Sequence, residues 1–193
     1  MRKRYGIFGG TFDPVHVGHL ISAQYILTEF SLDRIIFMPA YIPPHKAGKK
    51  RLSSNHRLIM VKKAIKGNKH FTVSNFEIEK RTRSYTIHTL EHYLKESRLF
   101  LIIGDEWLNR FSDWHRWRDI LGYSDLIVLR RQGLEVKIPA FLNTFKRKIH
   151  FSSNPLIQVS SSLIRQYLKQ KKDIRYMVPS SVWQYIQKKE LYG

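Results

Sequence analysis

Tyr5-Gly6-Ile7-Phe8-Gly9-Gly10-Thr11-Phe12-Asp13-Pro14-Val15-His16-Val17-Gly18-His19-Leu20 decides the fold. An apolar run ends in two glycines, a turn follows at Asp13-Pro14, and helical spacing begins. From Leu20 onward, Ala23, Leu27 and Phe30 recur at three- and four-residue steps, one face of a helix. Strand, glycine turn and helix in that order form the opening of a βαβ unit.

The rest of the chain repeats the alternation. Strands are expected at Tyr5–Phe8, Arg34–Met38, Phe71–Asn75, Phe100–Ile103, Leu126–Leu129 and Lys148–Phe151. Several are almost wholly apolar, as central parallel strands covered on both faces must be. Between and after them lie helical patterns: Ile87, Leu90 and Leu94, then Ser162–Lys169, then Ser181–Lys189 behind Pro179. The expected fold is α/β, a doubly wound, mostly parallel sheet with helices on both faces, in a single domain over 1–193. Ligands in such folds sit at the carboxyl ends of strands, where the strand order reverses.

Composition narrows the function classes. The chain has 193 residues and no cysteine, which excludes a disulfide framework, a thiolate nucleophile and Cys-ligated zinc. No apolar run reaches the ~18 residues of a membrane span, and the basic start at Met1-Arg2-Lys3-Arg4 leads into too short a core for a signal peptide. A cytoplasmic location and no membrane partner are expected. Net charge is +19. Such a field attracts nucleotides and nucleic acids, although Lys and Arg spread along the whole chain also read as solvated faces. His45-Lys46-Ala47-Gly48-Lys49-Lys50-Arg51 is a denser local patch.

Chemistry concentrates at the first loop. Gly9 and Gly10 allow a phosphate to approach Thr11 and Phe12 without meeting a Cβ. The following helix start offers N–H groups and a positive dipole end. His16 and His19, three residues apart, share a face there. Both can donate to phosphate oxygens, with Gly18 leaving room for a flat adenine. The same spacing suits half of a metal site or two satisfied structural histidines. Neither G-x-G-x-x-G nor the P-loop pattern occurs.

A second element stands at Val159-Ser160-Ser161-Ser162-Leu163-Ile164-Arg165. Serines before an apolar helix form an N-cap. With Arg165 one turn in, they make either an anion cradle or a plain capped helix with a surface arginine.

The two elements together resemble the G-x-F-D-P-x-H-x-G-H and I-S-S-T-x-I-R motifs of the nucleotidyltransferase superfamily, with Val159 for Ile and Ser162 for Thr. Further pieces resemble its bacterial nicotinate mononucleotide adenylyltransferase branch. These are Pro39-Ala40-Tyr41-Ile42-Pro43-Pro44-His45-Lys46, Arg81-Thr82-Arg83-Ser84-Tyr85-Thr86-Ile87-His88-Thr89-Leu90, Ile102-Ile103-Gly104, Trp114 and Trp117, and Leu126 to Gly133. His88 stands where the family often has Asp. In the family's G-A-D region the acidic residue aligns with Glu106 and Asp105 is extra, and Gln132 replaces Pro.

The resemblance implies a Rossmann-like nucleotidyltransferase fold and adenylyl transfer from ATP to nicotinate mononucleotide. It places ATP on Gly9, Gly10, Thr11, Phe12, His16, Gly18, His19, Gly104, Ser160, Ser161, Ser162 and Arg165. Nicotinate mononucleotide falls to Lys46, Ser84, Tyr85, Thr86, Trp114 and Arg131. His16, His19, Lys46 and Arg165 are the catalytic set, and Mg²⁺ comes with ATP, held by phosphates and water. Ser84 or Thr86 is expected to cap the helix of Ile87, Trp114 to stack on the pyridine, Trp117 to be core, and Asp13 to be structural. The alternatives are a phosphopantetheine adenylyltransferase and an RNA-binding module of aminoacyl-tRNA synthetase type. The absent K-M-S-K-S element argues against the latter and against a specific nucleic-acid partner. No feature specifies an oligomeric state.

Overall fold

The computed structural model describes residues 2–43, 51–94, 97–131 and 137–193. Six strands form one parallel sheet in the order β3-β2-β1-β4-β5-β6. They are β1 (Lys3–Gly10), β2 (Arg34–Pro39), β3 (Phe71–Val73), β4 (Ser97–Gly104), β5 (Ser124–Leu129) and β6 (Ile149–Phe151). Each expected strand is present. The edge strands β3 and β6 are the shortest, because they pair on one side alone.

The order runs outward from β1 through β2 and β3, then returns to β4 on its other side. The reversal therefore falls between β1 and β4, which pair in register Ile7↔Leu101 and Phe8↔Ile102. Leu101 in turn pairs with Leu126, and Leu126 with Ile149. Every residue of β5 is buried. A strand with no exposed face cannot alternate, which is why Leu126–Leu129 reads as a continuous apolar run, after Ser124 and Asp125.

The helices are α1 (Val17–Glu29), α2 (Ser54–Ile65), α3 (Phe76–Lys80), α4 (Thr86–Tyr93), α5 (Trp117–Tyr123), α6 (Ser161–Lys169) and α7 (Ser180–Lys188). Two 3₁₀ segments, Asp105–Asp113 and Ala140–Lys148, complete the described elements; the first bends at Arg110. No described helix is long and apolar enough to cross a membrane.

Packing groups the chain into two compact units. One comprises Met1–Gly9, Ser22–Ile36 and Tyr85–Ile157. Its interior holds Ile7, Ile26, Ile87, Leu90, Leu101, Leu108, Phe111, Ile120 and Val128. At this unit's surface the Ser152 and Ser153 hydroxyls close on the exposed Glu29 carboxylate, at 2.6 Å each. The other comprises Gly10–Ile21, Phe37–Ser84 and Gln158–Gly193. Its interior holds Phe12, Val15, Phe37, Met60, Val61, Ile164, Val178 and Val182. In it α2 packs on α7, joined by a 2.8 Å contact between His56 Nδ1 and the Tyr185 hydroxyl.

Candidate functional site

Two clusters carry the groups singled out in the sequence, one in each unit. The first is the loop after β1. The backbone turns at Phe12, whose φ of 50° lies in the left-handed region that a bulky residue avoids. Its ring is 2 % exposed. It packs 5.8 Å from Phe37 and 5.0 Å, edge-on, from His19. Core burial of the ring therefore opposes the backbone cost.

The two glycines divide their work. A Cβ on Gly10 would come within 2.9 Å of the Phe12 ring, so glycine is required there by internal packing. A Cβ on Gly9 would meet nothing within 4 Å among the described residues, so Gly9 is the one that leaves open approach. Phe12 thus faces inward with its side chain, and Gly18 is likewise buried rather than opening a surface.

α1 begins at Val17, so His16 lies just before the helix and His19 within its first turn. Their rings lie 3.7 Å apart, centre to centre. The His16 amide donates to His19 Nδ1 at 3.2 Å. A ring nitrogen that accepts from an amide carries no proton, so the neutral His19 ring bears its proton on Nε2.

The serine row joins this loop. Ser160 caps α6 by accepting from the Leu163 amide. Ser161 donates its hydroxyl proton to the Pro14 carbonyl at 2.9 Å. Arg165 donates through Nη1 to the Asp13 carbonyl at 2.6 Å and through Nη2 to Ser162 Oγ at 3.3 Å. Motifs 147 to 152 positions apart in sequence thus meet through two hydrogen bonds, Ser161 to Pro14 and Arg165 to Asp13. Asp13 itself is 3 % exposed and accepts from the Tyr192 hydroxyl at 2.8 Å.

One member of this cluster escaped the sequence reading. Arg57 of α2 is 1 % exposed. It donates to the carbonyls of Thr11 (2.7 Å), Ala40 (2.7 Å), Tyr41 (3.2 Å) and Leu52 (3.2 Å). Burial pulls its pKa down, opposed by the Asp13 charge. The signal was available: Arg57 lies three and four residues before Met60 and Val61, on the apolar stripe of α2.

The second cluster surrounds the start of α4. Tyr85 is its N-cap in extended conformation, and no side chain caps the helix. The expected cap by Ser84 or Thr86 is therefore incorrect. Ser84 Oγ is engaged elsewhere, accepting from the Tyr41 amide at 2.8 Å, and the Ser84 amide donates to Ile42. The Tyr85 ring lies 4.6 Å from His115, which stacks toward His88 at 6.4 Å. His88 approaches Glu91 at 3.8 Å, and Glu91 binds Arg116 at 2.9 Å.

Trp114 is half-buried, packed 5.3 Å from Phe111 and 5.8 Å from Trp107. Trp117, expected in the core, is only half-buried, edge-on to Phe141 and Phe145. It is the first residue of α5, while the helix buries Ile120 and Leu121. At the end of β4, a Cβ on Gly104 would strike the Glu106 carboxylate. Glu106 pairs with the Arg131 guanidinium at 3.1 Å, while buried Asp105 accepts from the Arg131 amide at 2.9 Å. Asp105, extra by the family pattern, ties the residue after β4 to Arg131, two positions past the end of β5. Lys46 and the adjoining basic run through Lys50 lie outside the described residues, as do Pro44, His45 and Gln132.

The comparisons agree with one another. The cytidylyltransferase-like family profile matches residues 7–167. A probable nicotinate-nucleotide adenylyltransferase of Clostridium botulinum (strain Alaska E43 / Type E3) is 41% identical, with 98% of each chain covered. A nicotinate-nucleotide adenylyltransferase of Bacillus subtilis (strain 168) is 37% identical, again over 98% of each. Among solved structures, the Plasmodium falciparum nicotinic acid mononucleotide adenylyltransferase complexed with NaAD superposes with a TM-score of 0.78 at 17% identity. That match covers 98% of this chain and 97% of the other.

Proposed function

The chain belongs to the cytidylyltransferase-like family and, within it, to the nicotinate-nucleotide adenylyltransferases, and on that premise we propose that it transfers the adenylyl group of ATP to nicotinate mononucleotide. A phosphate oxygen of the mononucleotide attacks the α-phosphorus; a new P–O bond forms, the bond to the β-phosphate breaks, and pyrophosphate leaves. The attacking phosphate is largely ionised at neutral pH, so the step needs alignment and charge stabilisation rather than a base. Residues 1–193 act as one nucleotidyltransferase domain, in the cytoplasm where ATP is supplied.

The observation that carries the reading is the bonded junction of the two motifs, Arg165 on Asp13 and Ser161 on Pro14. It gathers the donors that a triphosphate requires onto one loop. His19 offers Nε2–H and His16 its ring; Arg165 keeps N–H groups beyond the two that bind Asp13 and Ser162 for the β- and γ-phosphates, with the Ser160–Ser162 segment beside it. Gly9 leaves the loop open to the nucleotide. Gly104 is assigned to ATP as well, and Lys46 to the reacting phosphates. Among the described residues no group of three or more His, Asp or Glu could hold a metal ion. Mg²⁺ is assigned with ATP: it would offset the charge of the triphosphate, with phosphate oxygens and water as its ligands.

The start of α4, uncapped by any side chain, is assigned to the pyridine carboxylate: helix amides and the positive dipole end favour an anion. Tyr85, Thr86 and the Trp114 indole face the ring, Ser84 shapes the approach, and Arg131 serves the mononucleotide. An adenylyl-transfer assay with nicotinate mononucleotide, nicotinamide mononucleotide and phosphopantetheine tests the whole. The acid is expected to be preferred over the amide by up to ~10³-fold in kcat/KM, since an amide sets its own N–H against helix donors at ~1–3 kcal/mol per unmade bond. A ratio near one removes the carboxylate assignment, and transfer to phosphopantetheine alone overturns the substrate.

A further inference from the structure

The loop that carries His16 and His19 turns at a residue in an unfavourable conformation. Phe12 has a φ of 50°. Two groups outside the assigned donor set grip the chain on either side of it. Before it, the Arg57 guanidinium holds the Thr11 carbonyl at 2.7 Å. After it, the Tyr192 hydroxyl holds Asp13 Oδ1 at 2.8 Å.

Both clamps are built at some cost to the protein. Arg57 is a cation removed from water, satisfied by four carbonyl acceptors and facing the Asp13 charge. Tyr192 reaches Asp13 only because the backbone turns after α7 through two residues with positive φ, Glu190 at 48° and Tyr192 at 73°. Burial, then the Asp13 charge and hydrogen bond, push the Tyr192 phenol far above its ordinary range, so it stays a donor throughout the working pH range. A strained turn persists only where its surroundings over-determine it. Here the surroundings are these two side chains and the Phe12 ring packed against Gly10. Arg165 bonds to the same Asp13, so a shift of residue 13 is carried directly to it.

We infer that Tyr192 and Arg57 are positioning residues that clamp the loop on both sides of left-handed Phe12, and so set where His16, His19 and Arg165 stand during adenylyl transfer. Neither side chain belongs to the set assigned to the substrates. The catalytic consequence rests on the proposed adenylyl-transfer reading; the mechanical one does not.

Tyr192→Phe removes one hydroxyl and keeps the ring, so the full-length variant is the first test. It is assayed at a temperature where denaturant titration shows it folded. The expected result is a kcat about tenfold or more below wild type with a nearly unchanged KM for nicotinate mononucleotide, as for loss of alignment. In parallel, amide hydrogen exchange across residues 10–19 should quicken about tenfold while β4 and β5 keep wild-type protection. Arg57→Lys, whose single ammonium cannot serve four carbonyls, should act in the same direction. Wild-type kcat in Tyr192→Phe overturns the proposal, as does a loss that follows only the fraction folded or a raised KM at constant kcat. If the wild-type protein shows no transfer to nicotinate mononucleotide, the functional reading fails by itself. Exchange then decides the clamp, and unchanged protection of residues 10–19 overturns it.

Discussion

Arg165 donates a 2.6 Å hydrogen bond from Nη1 to the carbonyl of Asp13, spanning 152 positions of sequence. Its Nη2 reaches Ser162 at 3.3 Å. A planar guanidinium can make both contacts and still turn further N–H groups outward; an ammonium offers one centre.

Arg165→Lys is therefore expected to recover only a fraction of the activity lost in Arg165→Ala. The alanine variant should fall ~10²–10³-fold in kcat, the range for loss of a transition-state donor. Steady-state kinetics on the three proteins decide it, and equal activity of the lysine variant and wild type would show that charge alone is needed.

His19 has two roles: Nδ1 accepts from the His16 amide, and a neutral ring then carries on Nε2 the proton it can donate. His19→Ala should cut the chemical step ~10²–10³-fold. It should also lower stability by ~1 kcal/mol or more, because a largely buried amide loses its acceptor. Single-turnover kinetics and urea titration separate the two effects. Full turnover in the alanine variant would remove His19 from the mechanism.

Arg57→Met keeps the unbranched stem but ends about where Nε begins, and it leaves the carbonyls of Thr11, Ala40, Tyr41 and Leu52 without their guanidinium donor. A loss of ~3 kcal/mol or more is expected, in the range for breaking a buried charged network. The urea midpoint measures it; an unchanged midpoint would mean that water replaces the guanidinium without penalty.

Glu29 supplies a pH-dependent element. Burial pushes its pKa up, but the Ser152 and Ser153 hydroxyls and the Ser153 amide together outweigh that and leave it below its ordinary value of 4.5. A carboxylate with a depressed folded-state pKa adds stability that is present above its unfolded value. That stability is lost as pH falls through the folded-state value. Glu29→Gln should thus be less stable than wild type at neutral pH, and the two should converge in acid below pH 4.5. Parallel stability curves from neutral to acid pH would show that the carboxylate charge contributes nothing.

Much of the architecture was legible along the chain because periodicity is local. The apolar runs of β1, β2, β4 and β5 need both faces covered, and that requirement is written in every residue of each run. Helices with an apolar stripe, such as α1 and α4, were equally plain. The short α3, α5 and the two 3₁₀ segments were not, since one or two turns carry too few repeats to show a period. Ser84 illustrates a different failure: a serine before a helix is a sound cap signal, yet its hydroxyl bonds to the Tyr41 amide, 43 positions earlier. The choice between two acceptor roles depends on what folding brings alongside.

The sequence by itself determined the βαβ alternation, the glycine turn and the two motifs, since spacing and residue type suffice for all three. Only the tertiary structure decided how those groups are held. Phe12 turns its ring into the core. Arg57 is buried under the loop, Asp13 is held by Tyr192, and Asp105 ties Arg131 rather than standing idle. Each of these depends on contacts made across long sequence separations, where the partner is chosen by packing and by the need to satisfy buried polar groups, and no local pattern records that choice.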